Sequence, residues 1–184
     1  MSINHLTQMP LGLAIQRGNI PNFSGIQKFG YNTAVHTSYE TIWENGSLYA
    51  YPTTATTAVA TSTSTDDNDS LVHIYGLDSN YDLADEVITV GGSASTTSFI
   101  RVFRSVLTNA NTGVVNVGKI TTTVNSLPVS VIDVGYGQSL QAIYTIPRNY
   151  RGYLMSSLPE PFRTCPDPDR SSFDRWQWHF PGCY

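Results

Sequence analysis

Charge is scarce in this sequence. Asp, Glu, Lys and Arg make up 13% of its 184 residues, about half the share of an ordinary soluble domain. The two lysines are Lys28 and Lys119, and no basic stripe is present. Nucleic-acid binding through phosphates needs clustered Lys and Arg, so that partner class is not expected. A net charge of -4 argues equally against a polybasic membrane patch. No apolar run approaches the ~18 residues of a transmembrane helix. The opening MSINHLTQMPLGLAIQRG has no basic residue before its short apolar run and makes a poor signal peptide. The expectation is a soluble chain made in a cytoplasm.

Cysteine is scarce too. Cys165 and Cys183 are the only two, both near the C-terminus. They can close a loop or stay as inert thiols, and without paired histidines they do not form a zinc site. The histidines, His5, His36, His73 and His179, are scattered. The metalloprotease, nucleophile-elbow and phosphate-loop motifs are all missing.

Serine and threonine fill the space that charge leaves, 19 and 21 of them, with 11 tyrosines beside them. Thr and Tyr suit a pleated, half-buried surface, so the composition leans all-β. No 3.6-residue period holds for three turns, and no convincing amphipathic helix is expected. Residues 1–30 are dense in Gly and Pro with apolar residues between them, which reads as an extended N-terminal arm lying on another surface. From Tyr31 the sequence alternates. Asn45-Gly46 signals a hairpin, with SLYAYP as its return strand. In all, about eight strands run from Tyr31 onward at 8–12-residue spacing, the pattern of a sandwich or barrel. They include Leu71–Tyr75, Val87–Val90, a strand around Ile100 and Val102, a strand bulged at Gly118, and a pair separated by Gly135 and Gly137.

The Thr-rich run TTATTAVATSTSTDDNDS, residues 53–70, has no Gly or Pro and is not a flexible linker. It reads as a partly paired surface-edge segment ending in a turn at Asp66–Ser70. The expected architecture is therefore one antiparallel, jelly-roll-like β-sandwich over 31–157. The arm 1–30 precedes it, and an irregular Pro/Cys/Trp-rich tail, 158–184, follows.

The chemistry-bearing candidates are few. Asp66, Asp67, Asn68, Asp69 and Ser70 could form an irregular calcium loop, but the sixth and twelfth positions of an EF-hand would be Leu71 and Leu77. A solvated turn is the simpler reading. Asp78, Asp82, Asp85 and Glu86 could gather a cation or merely occupy a turn. Glu40 and Glu44 beside Trp43 fit a glycosidase pair poorly, because Gly46 already turns the chain. Ser139 in GYGQS reads as a turn. Trp176 and Trp178 would share a face of an extended segment, suited to a sugar or to an interface. No catalytic residue, cofactor site or metal site is assigned, and the chain is expected to be non-enzymatic.

Four segments carry a resemblance: ETIWENGSLYAYP (40–52), VHIYGLDSNYDLADEVITVGG (72–92), NVGKI (116–120) and GYGQSLQAIYTIPRNYRGYL (135–154). Over about 16–155 the chain resembles virion structural proteins of tailed bacteriophages, notably marine and cyanobacterial ones. It departs from their pattern at Asn149, where glycine is usual, and in its C-terminal tail. The resemblance implies a role rather than a mechanism: a virion-located capsid decoration or cement protein. Its partners would be other virion proteins and copies of itself, as in a trimer, with no nucleic acid and no membrane. The alternative is a tail- or fibre-associated adhesion or carbohydrate-binding β module.

Overall fold

The computed structural model describes residues 10–32 and 38–158. The chain divides into two units, Met1–Tyr150 and Arg151–Tyr184. In the second, residues 151–158 contain no helix or strand.

Among its described residues the first unit is all-β apart from one short α-helix and a single 3-10 turn at Thr65–Asp67. Its strands are β1 (Thr56–Ser62), β2 (Leu71–Asp78), β3 (Leu83–Thr89), β4 (Ser98–Asn109), β5 (Ile120–Val124) and β6 (Leu127–Ile132). They form one antiparallel sheet in the order β3-β2-β4-β1-β5-β6. The all-β class is the one that composition and alternation predict. The six strands lie in a single hydrogen-bonded sheet, so the sandwich in that expectation has no separate second sheet among the described residues.

Strict alternation builds the β2–β3 hairpin. Val72 and Ile74 point inward and are fully buried, while His73 and Tyr75 face outward. The turn between the strands is an Asx turn: the Asp78 carboxylate accepts the N–H groups of Asn80 (2.8 Å) and Asp82 (3.0 Å). β4 lies along the other side of β2, with register shifts. At one of them a Cβ on Gly76 would stand 2.0 Å from the Arg101 carbonyl oxygen, so no other residue fits.

β1 comes from the Thr-rich run. It is not the surface edge that the sequence suggested but a central strand, paired with β4 at Thr56–Thr57 and with β5 from Ala58 to Ser62. Ala58 and Ala60 explain this. Their small side chains are fully buried under the curled sheet, while Thr57, Val59 and Thr61 take the opposite face. The segment after β3 also bonds to β1: Gly91 donates to the Ala60 carbonyl (2.9 Å) and Ser95 to the Ala58 carbonyl (2.8 Å).

The curl brings β4 opposite β6, although two strands separate them in the sheet. The Val102 and Val129 carbonyls face one gap, filled by the Tyr49 hydroxyl (3.4 and 3.2 Å) and the Gln141 amide (3.1 and 3.4 Å). Trp43 packs edge-on against Tyr49 at 5.0 Å between ring centres. It is the largest fully buried side chain in a core that also holds Phe99, Ile74, Leu77, Ile120 and Ile132.

Four expectations about elements change. The Asn45-Gly46 hairpin is absent. Gly46 does turn the chain at φ 64°, but the Trp43 indole N–H donates to the Ser47 carbonyl (2.8 Å) and folds 41–47 into a compact loop. Residues 138–150 also form no strand, and touch the sheet through an isolated bridge between Val106 and Gln138 and through side-chain bonds such as those of Gln141. Gly118 precedes β5 instead of bulging it. Its backbone lies so close to Ser64 that a Cβ would meet the Ser64 nitrogen at 2.4 Å. Finally, the arm contains a helix, α1 (Leu11–Gln16), set between Pro10 and Gly18, the residues that favour a helix start and stop.

Replacing Trp43 by alanine should remove about 3–5 kcal/mol of folding stability, read as a lower midpoint in denaturant unfolding. An unchanged midpoint would mean that the 41–47 loop does not seal the core.

Candidate interaction surface

The carboxylates marked out in the sequence are used by the chain itself. Asp67 is 2% exposed. Its Oδ1 accepts the Val117 N–H (2.8 Å), and its Oδ2 accepts the Gly118 N–H (2.8 Å) and the Ser62 hydroxyl (2.5 Å). Burial alone would raise its pKa, but these donors outweigh burial and hold the carboxyl below its ordinary value. Asp67 thus ties the end of β1 to the approach to β5. Asp66 and Asp69 stay exposed on the same turn. Asn116 completes the junction, donating to the carbonyls of Gly118 (2.7 Å) and Asp133 (2.8 Å) and accepting from the Gly137 N–H (3.0 Å).

The second acidic group is similarly dispersed. Asp78 shapes its turn. Glu86 accepts the Thr96 and Thr97 N–H groups at 2.8 Å each, which overcome burial and lower its pKa. Asp85 takes a hydrogen bond from His73 Nε2 (2.7 Å), and the other ring nitrogen of His73 lies 2.9 Å from the Tyr75 hydroxyl. The period-2 spacing puts His73 and Tyr75 on one face, but only the strand register brings Asp85 to them, and sequence reasoning missed that chain of contacts. Among the described residues, no group of three His, Cys, Asp or Glu side chains is placed to hold a metal ion.

Glu40 and Glu44 do not pair. Glu40 accepts from the Asn32 amide (2.9 Å). Glu44 is buried, with Oε2 accepting the Leu140 N–H (2.8 Å). Burial is the main cause that lifts its pKa from 4.5 to about 7, opposed in part by nearby backbone donors led by Leu140. Ser139 is a structural residue: its hydroxyl accepts the Ser105 N–H (3.0 Å). Trp43 lies in the core at 1% exposure and offers no platform to a sugar. His5, His36, His179, Cys165, Cys183, Trp176 and Trp178 lie outside the described residues. An open depression of about 430 Å³ is lined by Ser79, Asn80, Tyr81, Ile146 and Arg148, of which only Arg148 is charged.

What the surface offers is apolar. In the arm, Leu11, Leu13, Phe23, Ile26 and Phe29 are all more than 40% exposed, and α1 buries no residue. The arm meets the body at its far end. There the Lys28 ammonium donates to the Phe103 carbonyl and lies over the Phe103 ring, and the Tyr31 N–H donates to the Leu140 carbonyl (3.0 Å). Burial, helped by the Arg104 charge, lowers the Lys28 pKa to about 8. The 39–51 loop adds Tyr39 at 94% exposure and Leu48 at 68%. Among the described residues no helix is long and apolar enough to cross a membrane.

Two outcomes test these assignments. Asp67→Ala should cost about 1–3 kcal/mol, because it strands buried N–H donors. Glu44 should impose a pH slope of the opposite sense to that of Asp67. Its folded pKa is raised, so folded chains keep a proton that unfolded chains lose, and stability falls as pH rises from 4.5 towards 7. Glu44→Gln should flatten stability across that window in denaturant titrations at successive pH values. A slope that persists in the variant would place its origin elsewhere.

Compared with known proteins, the chain matches no family model, no curated protein and no solved structure.

Proposed function

We propose that this chain is a non-enzymatic structural component of a tailed-phage virion, of the capsid decoration type, acting through contacts with other virion proteins and with itself. The uncovered arm is the observation that carries this reading. A six-residue helix is far below the ~12–15 residues at which an isolated helix becomes even marginally stable in water. α1 has no capping side chain, no acid in its first turn and no buried residue. Leu11, Leu13 and Phe23 stay 41–56% exposed, and a second protein surface would bury them. The acidic side chains support the same reading, because Asp67, Asp78 and Glu86 are occupied with the chain's own backbone donors. The resemblance in segments 40–52, 72–92, 116–120 and 135–154 supplies the virion setting.

Particles of the phage encoding this chain, banded on a density gradient, test the reading by quantitative mass spectrometry. The chain should appear at a fixed ratio to the major shell protein. Recovery only from the soluble lysate would overturn the proposal. Changing Leu11, Leu13 and Phe23 together to serine should leave folding stability within about 0.5 kcal/mol and strip the chain from the particle.

A further inference from the structure

Among the described residues, one edge of the sheet is left open. β6 closes towards β4 through Tyr49 and Gln141, but β3 ends the sheet on the other side. The β2–β3 ladder uses the backbone groups of Ala84, Glu86 and Ile88, so alternation turns those of Leu83, Asp85 and Val87 outward. Among the described residues no backbone or side-chain group bonds them on that side. The outward-facing side chains here are Leu83 at 63% exposure, Asp85, and Val87 at 47%. Asp78, Asp82 and Glu86 make the surroundings acidic.

A second β3 is a poor occupant, because Asp85 and Glu86 would meet their own copies across the new ladder. A basic, apolar, extended segment fits better, and the chain contains one. Between Pro147 and Leu158 it carries Arg148 and Arg151 and no acid. Tyr153, Leu154 and Met155 are each about 70% exposed or more, and residues 151–158 have neither helix nor strand. At about 3.3 Å per residue, an extended 150–158 spans about 30 Å, enough for the roughly 23 Å of β3. Alternation puts Arg151 and Tyr153 on one face. With Arg151 set against Asp85, Tyr153 falls on Leu83 in one strand direction and on Val87 in the other.

We propose that residues 150–158 of one copy add as a seventh strand to the β3 edge of a second copy. The contact is head-to-tail, so it joins copies into a closed ring or a chain. It deepens the structural-protein reading by naming one partner. Its test is made in solution without particles, so failure here leaves the particle measurement standing.

The test is the molar mass of the full chain by light scattering across a concentration series. Wild type should associate. Asp85→Arg and Arg151→Asp, each alone, should raise the concentration for half-association about tenfold or more, equivalent to about 1.4 kcal/mol. Mixing the two variants should restore association, because each then offers the other a matched pair of charges. A monomeric wild type would overturn the proposal. So would single variants that associate like wild type, or a mixture that stays dissociated while the double variant recovers, which would put the segment on its own chain's edge. Should Asp85→Arg disturb the fold by losing His73, Arg151→Asp still decides the matter, since Arg151 lies outside the sheet.

Discussion

The carbonyls of Val102 and Val129 face one gap between β4 and β6, and the shape of the β unit depends on how that gap is filled. Tyr49 and Gln141 supply the donors. Neither residue belongs to a strand, so the sheet's curl is held by the loop before β1 and the segment after β6. Tyr49 is in turn fixed by Trp43 on one side and by Tyr51, whose ring lies 4.8 Å away, on the other. Burial raises the Tyr49 pKa well above the ordinary phenol range, so the hydroxyl stays a donor at any pH the fold survives. Arg101 extends the contact outward, with its guanidinium between the rings of Tyr51 and Tyr81 and one nitrogen on the Pro52 carbonyl (2.7 Å).

The connections follow the same logic as the core. A loop that lies against a sheet must satisfy its backbone polar groups, and here Asp67, Asp78, Glu86 and Asn116 satisfy them locally. Scarce charge is thereby concentrated where it holds backbone in place. The arm differs in kind. It is anchored near Lys28 and Tyr31, and Gly30 packs so closely that a Cβ would meet the Ala142 nitrogen at 2.5 Å. Before that anchor its apolar side chains face outward.

Sequence periodicity was informative wherever a strand alternates and its neighbour is close in the chain. The β2–β3 hairpin and β4 were legible for that reason. It failed where a single large side chain decided the outcome. Nothing in ETIWENGSLYAYP distinguishes a hairpin from a loop until Trp43 is seen to bond Ser47 across the turn. The Thr-rich run was recognisable as extended. Its place at the sheet's centre rests on Ala58 and Ala60 packing under the curl, a property of the partners rather than of the run. Glu44 was likewise invisible, since a carboxylate two residues before Gly46 reads as solvated. The acidic clusters were visible, but their roles depended on which amides the fold brought to them.

The buried carboxyl of Glu44 makes folding a proton-coupled reaction. With a folded pKa of about 7 against 4.5 for the free side chain, Glu44 takes up a fraction of a proton on folding in neutral solution. The heat of folding therefore includes the ionisation heat of whichever buffer supplies that proton, and calorimetric enthalpies in phosphate and in Tris will differ for the same transition.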